Sequence, residues 1–238
     1  MEWEIEIFVL IFSGLATFKL FKRWYPPIFK AWPKEQNLTA KRVLGFLPVV
    51  FLIAMLVLLK NFASHDVVES GFYITFYIVL GFAWMYGGLM LMSVCFGIIW
   101  PDDAIHLKNK AALAAIVGNF FALASIYMGA NIGDGPGWWC VFFAGGLGLA
   151  AWVVLGFVIH LFTDIFERIS VERDLGSGIR FGVYLILSGL ILGRACSGDW
   201  TSFSKTIEEF YIGWPVLPLT AGMIIIELFC QKEKKGSV

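Results

Sequence analysis

Long apolar stretches, each closed by charged or helix-breaking residues, set the pattern of this chain. Read as runs free of Asp, Glu, Lys and Arg, the clear ones are 43–59, 71–100, 111–133, 135–163 and 210–226. A helix crossing the hydrocarbon core needs about 20 mostly apolar residues, so each run predicts a membrane span. Two shorter runs, 7–18 between Glu6 and Lys19 and 181–193 between Arg180 and Arg194, reach spanning length if the flanking basic side chains snorkel to the headgroups. An interfacial helix would fit 7–18 equally well. The expectation is an all-α, polytopic integral membrane protein of about seven helices.

The connections carry their own signals. Asn131-Ile132-Gly133-Asp134-Gly135-Pro136-Gly137 predicts a tight turn, and Trp138 and Trp139 follow at the depth of an aromatic belt. Pro101-Asp102-Asp103 ends the third span and opens a short helix. Residues 24–40, with Pro26, Pro27 and Pro33 among aromatics and lysines, read as a linker lying on an anionic leaflet. The chain divides into 1–70, two N-terminal spans with a basic linker; 71–200, a four-helix core; and 201–238, a final span with a basic tail.

Composition agrees with lipid as solvent. Hydrophobic residues make up 59% and charged residues 15%, against roughly 25% charged in an ordinary soluble domain. Net charge is zero, so no nucleic-acid partner is expected. Charge placement sets orientation: of the 18 basic residues, all but Lys60, Arg194 and Lys205 fall on one side of the seven-span arrangement. The positive-inside rule makes that side cytoplasmic, with the N-terminus outside and the C-terminus inside. The acidic opening Glu2, Glu4, Glu6 is the reverse of a signal peptide. Cys95, Cys140, Cys196 and Cys230 lie singly, which favours buried thiols over a metal site; a Cys140–Cys196 bridge near the outer face stays open.

Sliding the chain so that Asn131-Ile132-Gly133-Asp134 falls on Cys196-Ser197-Gly198-Asp199 brings the third and fourth spans onto the fifth and sixth. Both units run in the same sense, so the expected tandem hairpins are parallel repeats. Chance likeness between hydrophobic hairpins is the alternative.

The stretch from Pro101-Asp102-Asp103 through Asn109-Lys110-Ala111-Ala112-Leu113-Ala114 is similar to a motif of a bacterial inner-membrane family known as domain of unknown function 350. Asn109, Ala111 and Ala112 match the family's Gly-Asn followed by alanines, whereas Lys108 replaces the glycine. Leu192-Gly193-Arg194-Ala195-Cys196 resembles the small-residue and cysteine stretch ending the family's four-helix unit, with Gly193 where asparagine is usual. The resemblance covers about 72–200. It implies paired helical hairpins in a bacterial inner membrane and no defined activity.

Polar groups inside spans are costly in lipid and so mark candidate sites. Asn119 lies midway through the fourth span, where an interhelical hydrogen bond competes with a ligand role. Arg194 ends a span on the outer side, either snorkelling to phosphates or facing inward toward Asp134 or Asp199. His160 and Asp164, four residues apart, are expected on one helix face, as helix-end polarity or a proton relay. Glu227 is expected to meet water or Lys232. Small residues at Ala144/Gly148, Gly178/Gly182, Gly189/Gly193 and Ala111/Ala115 predict close helix packing. No HExxH, GxSxG or phosphate loop is present, so no catalytic, metal or cofactor site is expected. The leading expectation is a non-enzymatic scaffold or sensor subunit in an envelope-stress or membrane-maintenance assembly. Its partners would be the bilayer, a cytoplasmic protein docking on 24–42 or 166–180, and a second copy through a small-residue face. The runner-up is a small channel or transporter.

Overall fold

The apolar runs all fold as helices, because a backbone in lipid must satisfy its own hydrogen bonds. The computed structural model describes residues 2–30 and 38–236. In chain order the helices are α1 (Glu2–Lys30), α2 (Leu38–Asn61), α3 (His65–Glu69), α4 (Gly71–Phe96), α5 (Lys110–Ala130), α6 (Trp138–Thr163), α7 (Ile165–Ser170), α8 (Leu175–Cys196), α9 (Phe203–Phe210) and α10 (Val216–Gly236), with a π-helical turn at Trp100–His106. No strand occurs among the described residues. Five helices (α2, α4, α5, α6 and α8) are long and apolar enough to cross a membrane. A sixth is counted if Phe203–Gly213 and Val216–Lys232, bent by 41°, form one span. Large apolar side chains on the outward faces, such as Phe8, Phe46, Leu161 and Leu190, are exposed, as befits a multi-pass membrane protein.

Local chemistry fixes the helix ends. Asn109 caps α5 by accepting from the Ala111 and Ala112 N–H groups, and Asp174 caps α8 by accepting from Gly176. α4 stops at Gly97, whose φ of 65° is the left-handed conformation that glycine adopts freely. α5 sits at the centre: 67% of its apolar window is buried, more than in any other span.

One correction concerns the N-terminal region. Residues 24–30 are helical: α1 runs on through Pro26 and Pro27. A proline inside a helix forfeits a backbone bond at about 3 kcal/mol. Burial of Trp24 offsets that cost, for its ring stacks on Trp100 at 4.3 Å and its indole N–H donates to the Leu44 carbonyl at 2.9 Å. Pro33 and Lys34, also assigned to the linker, lie outside the described residues. The expected final span, 210–226, does not begin as α-helix: Tyr211–Gly213 form a 3-10 turn, and the helix proper, α10, starts at Val216.

α5 and α8 run parallel, as the glycine contacts below show, and so do α1 and α4: Glu6 meets Tyr73, Thr17 bonds the Val79 carbonyl and Arg23 reaches Met90. One end of the molecule collects the π-turn, α7 and the tail of α10, tied by Trp24 on Trp100 and by Gln231 to the Thr163 carbonyl. The other collects the 131–137 turn, residues 197–202 and α9. There Phe62 accepts from Gly133, Ile132 accepts from Gly198, and Trp139, Trp200 and Phe203 pack edge to face or tilted.

Candidate functional site

The densest polar chemistry inside the molecule lies at the end that holds α7. Glu227, on α10, has no exposed surface. Its Oε1 accepts from Arg168 Nη1 and its Oε2 from Arg180 Nε, both at 2.6 Å. Arg168, itself buried, also holds Asp174 at 2.9 Å. The Ser177 hydroxyl lies within hydrogen-bond distance of both carboxylates and can donate to one; Arg180 Nη2 donates to that hydroxyl at 3.2 Å. Two guanidiniums and two carboxylates thus neutralise one another across α7, α8 and α10. Glu227 therefore does not meet water or Lys232, as its place near a span end suggested. Arg168 and Arg180 counted only toward orientation in the sequence. The available signal was a glutamate interrupting an apolar helix, which lipid makes unlikely to stand alone.

Beside this cluster, the π-turn buries a further carboxylate. Asp103 Oδ2 accepts from the Ile99 N–H at 2.7 Å. Burial pushes the Asp103 carboxyl above its ordinary range, opposed by that hydrogen bond.

Glycines bring α5 and α8 together backbone to backbone. A Cβ on Gly118 would overlap Gly182, one on Gly129 would overlap Gly193, and one on Gly189 would overlap Ala122. A Cβ on Gly178 or Gly182 would fall 2.5 Å from the carbonyl oxygen of Ala111 or Ala114. Gly148, on α6, faces Ile126 and the Cys196 sulfur. All five glycines singled out for packing (Gly148, Gly178, Gly182, Gly189 and Gly193) sit at such contacts. Gly118 and Gly129 join them, although neither stood out in the sequence.

The remaining candidates are scattered. Asn119 is fully buried, and neither its Oδ1 nor its Nδ2 has a hydrogen-bond partner; the indole N–H groups of Trp84 and Trp152 are also buried and unpaired. Arg194 is exposed and donates to the Ser197 hydroxyl at 2.9 Å, so it does not face the interior. His160 and Asp164 do not share a helix face. α6 ends at Thr163, Asp164 adopts φ 52° outside it, and the imidazole stacks on Phe166 at 4.4 Å. Cys140 and Cys196 are free thiols. Both line a cavity of about 50 Å³ at the turns 131–137 and 197–202, with Tyr77, Asn131 and Glu209.

Backbone bonds recur at a fixed spacing along 99–113 and 164–178. Asp103 bonds Ile99 as Arg168 bonds Asp164, Leu107 bonds Asp102 as Glu172 bonds Glu167, and Asn109 bonds Asp103 as Asp174 bonds Arg168. Lys108 and Arg173 share a left-handed φ, 53° and 56°. At the opposite end the residues so related meet: the Asp134 N–H donates to Asp199 Oδ1, 65 positions on, at 2.8 Å.

No family model, curated protein or solved structure matches this chain.

Proposed function

We propose that the chain is a non-enzymatic scaffold or sensor subunit of a bacterial inner-membrane assembly concerned with envelope stress or membrane maintenance. In this reading it has seven spans, with the N-terminus outside and the C-terminus in the cytoplasm. The observation that carries the reading is the α5/α8 contact. Two parallel spans whose backbones touch at successive glycines cannot rock apart as alternating access requires, and they hold their neighbours in fixed register. The saturated Arg168–Glu227–Arg180 network fastens α10 to the same frame. α1 supports the seventh span, since it follows α4 in parallel from Glu6 to Arg23. Bonds recurring 65 positions apart support tandem hairpin repeats over 71–200. The likeness of 101–114 and 192–196 to the family of unknown function 350 supports the bacterial setting.

Hydrogen exchange on the purified protein tests the frame. Amides of α5 and α8 should exchange last and together. Fast exchange at mid-span in either helix, or a partner-free monomer as the state recovered from native membranes under mild extraction, would count against the scaffold.

A second reading, a small channel or transporter, rests on Asn119. A carboxamide buried at mid-span with four unmet hydrogen-bond positions has chemistry for water or an ion, alongside the Trp84 and Trp152 N–H groups. Ion flux into liposomes holding the protein, abolished by Asn119→Leu in a folded variant, would establish it. Absence of flux for potassium, sodium, chloride and protons would retire it.

A further inference from the structure

The close approach of α5 and α8 leaves a groove on the membrane-facing side, between α2 and α8, with about 630 Å³ of open volume. Gly118 and Gly182 form its floor, and Leu113, Val117, Ile179 and Val183 its apolar walls. Its polar side chains sit together at one rim: Thr39 at the start of α2 and Lys110 at the start of α5. Arg42, one turn along α2 from Thr39 and exposed, adds a second cation on the same stripe. Neither Lys110 nor Arg42 has an ion pair among the described residues.

A slot that is apolar along its length and cationic at one mouth matches one kind of molecule in a bilayer. We propose that this groove is a binding site for an anionic phospholipid, with an acyl chain over the Gly118/Gly182 floor and the phosphate at Lys110 and Arg42. A zwitterionic lipid fits the slot equally well but gains less from the two cations, so headgroup charge is the discriminating property. A second copy of the chain would also cover apolar walls, but would bury both cations without an acidic partner. The proposal requires only that these helices lie in a bilayer, so it stands apart from the scaffold reading.

The test uses full-length protein in a non-ionic detergent, titrated with dioleoyl phosphatidylglycerol or dioleoyl phosphatidylcholine and read by native mass spectrometry. A cation near the membrane surface contributes about fivefold to anionic lipid binding. The glycerol lipid should therefore bind about twentyfold more tightly than the choline lipid. Lys110→Gln should reduce that preference about fivefold, and Lys205→Gln, at the opposite end, should leave it unchanged. Ile179→Trp, which fills the groove from an exposed position, should weaken both lipids while the melting temperature holds. Equal binding of the two lipids, or a preference that Lys110→Gln leaves unchanged, would overturn the proposal. So would a dimer that Ile179→Trp dissociates without any lipid preference, which would award the groove to a second copy.

Discussion

Glu227 shows how much a single side chain can carry in a lipid-embedded core. With both oxygens held at 2.6 Å by Arg168 and Arg180, it pairs with one buried and one partly exposed guanidinium. Removing one member of a buried ion pair costs about 3–5 kcal/mol, because its partners remain charged and unpaired. Glu227→Gln should lower stability by about that much, measured by unfolding in graded denaturing detergent, whereas Lys205→Gln, in an exposed pair with Glu208, should change it by less than about 1 kcal/mol. Asp103 gives a pH signature of unusual sign. Its folded carboxyl titrates above the unfolded value because burial disfavours the anion. Its contribution is therefore most favourable below the unfolded pKa and is lost as pH rises through the folded one. Asp103→Asn keeps an acceptor for the Ile99 N–H, so it should raise the melting temperature at neutral pH and flatten the fall in stability as pH rises above the ordinary carboxylate range. These sites were poorly legible in the sequence. Arg168 and Arg180 lie 59 and 47 positions from Glu227, and nothing in the local pattern of either segment announces the other. Asn119 was legible as a polar residue at mid-span, but its lack of partners depends on neighbours from other helices.

Among the elements, the α5/α8 pair depends most on what is missing from its surface. Gly129→Ala would set a methyl into the Gly193 backbone, where only helix separation can relieve it. Gly146→Ala, with nothing within 4 Å of the added carbon, relieves backbone freedom and adds no clash. The first should destabilise by about 1–3 kcal/mol and the second should be neutral or slightly stabilising, a contrast that paired unfolding curves will show. The helices themselves were legible, since in lipid an apolar run of sufficient length has few alternatives to an α-helix. Their ends were legible where a cap or a glycine marks them, as at Asn109 and Gly97. The run of α1 through Pro26 and Pro27 was not, because local propensity opposes it and only the tertiary burial of Trp24 against Trp100 outweighs that propensity.

For the whole molecule, the proposed orientation makes the two ends chemically distinguishable. In a background freed of native cysteines, Thr201→Cys should react with a membrane-impermeant maleimide on intact cells. Glu172→Cys should react only after permeabilisation. The reverse result would invert the topology while leaving the packing untouched. The proposed side assignment rests on basic residues alone, because loop charge, unlike contact, is a local property. Which helices touch was readable only in part, through small residues spaced for close approach.

The turns 100–107 and 165–172 share a backbone course but not a charge. Where one has Asp103, the other has Arg168, and only Arg168 finds a partner on α10. Two turns of matching backbone are thus wired differently. An external molecule approaching this end would meet the exposed Asp102, with Asp103 buried behind it, on one side and a self-neutralised knot of arginine and carboxylate on the other. Any response of the protein to salt or acidity at this end would then be lopsided, entering through the aspartate side while the arginine side acts as an anchor.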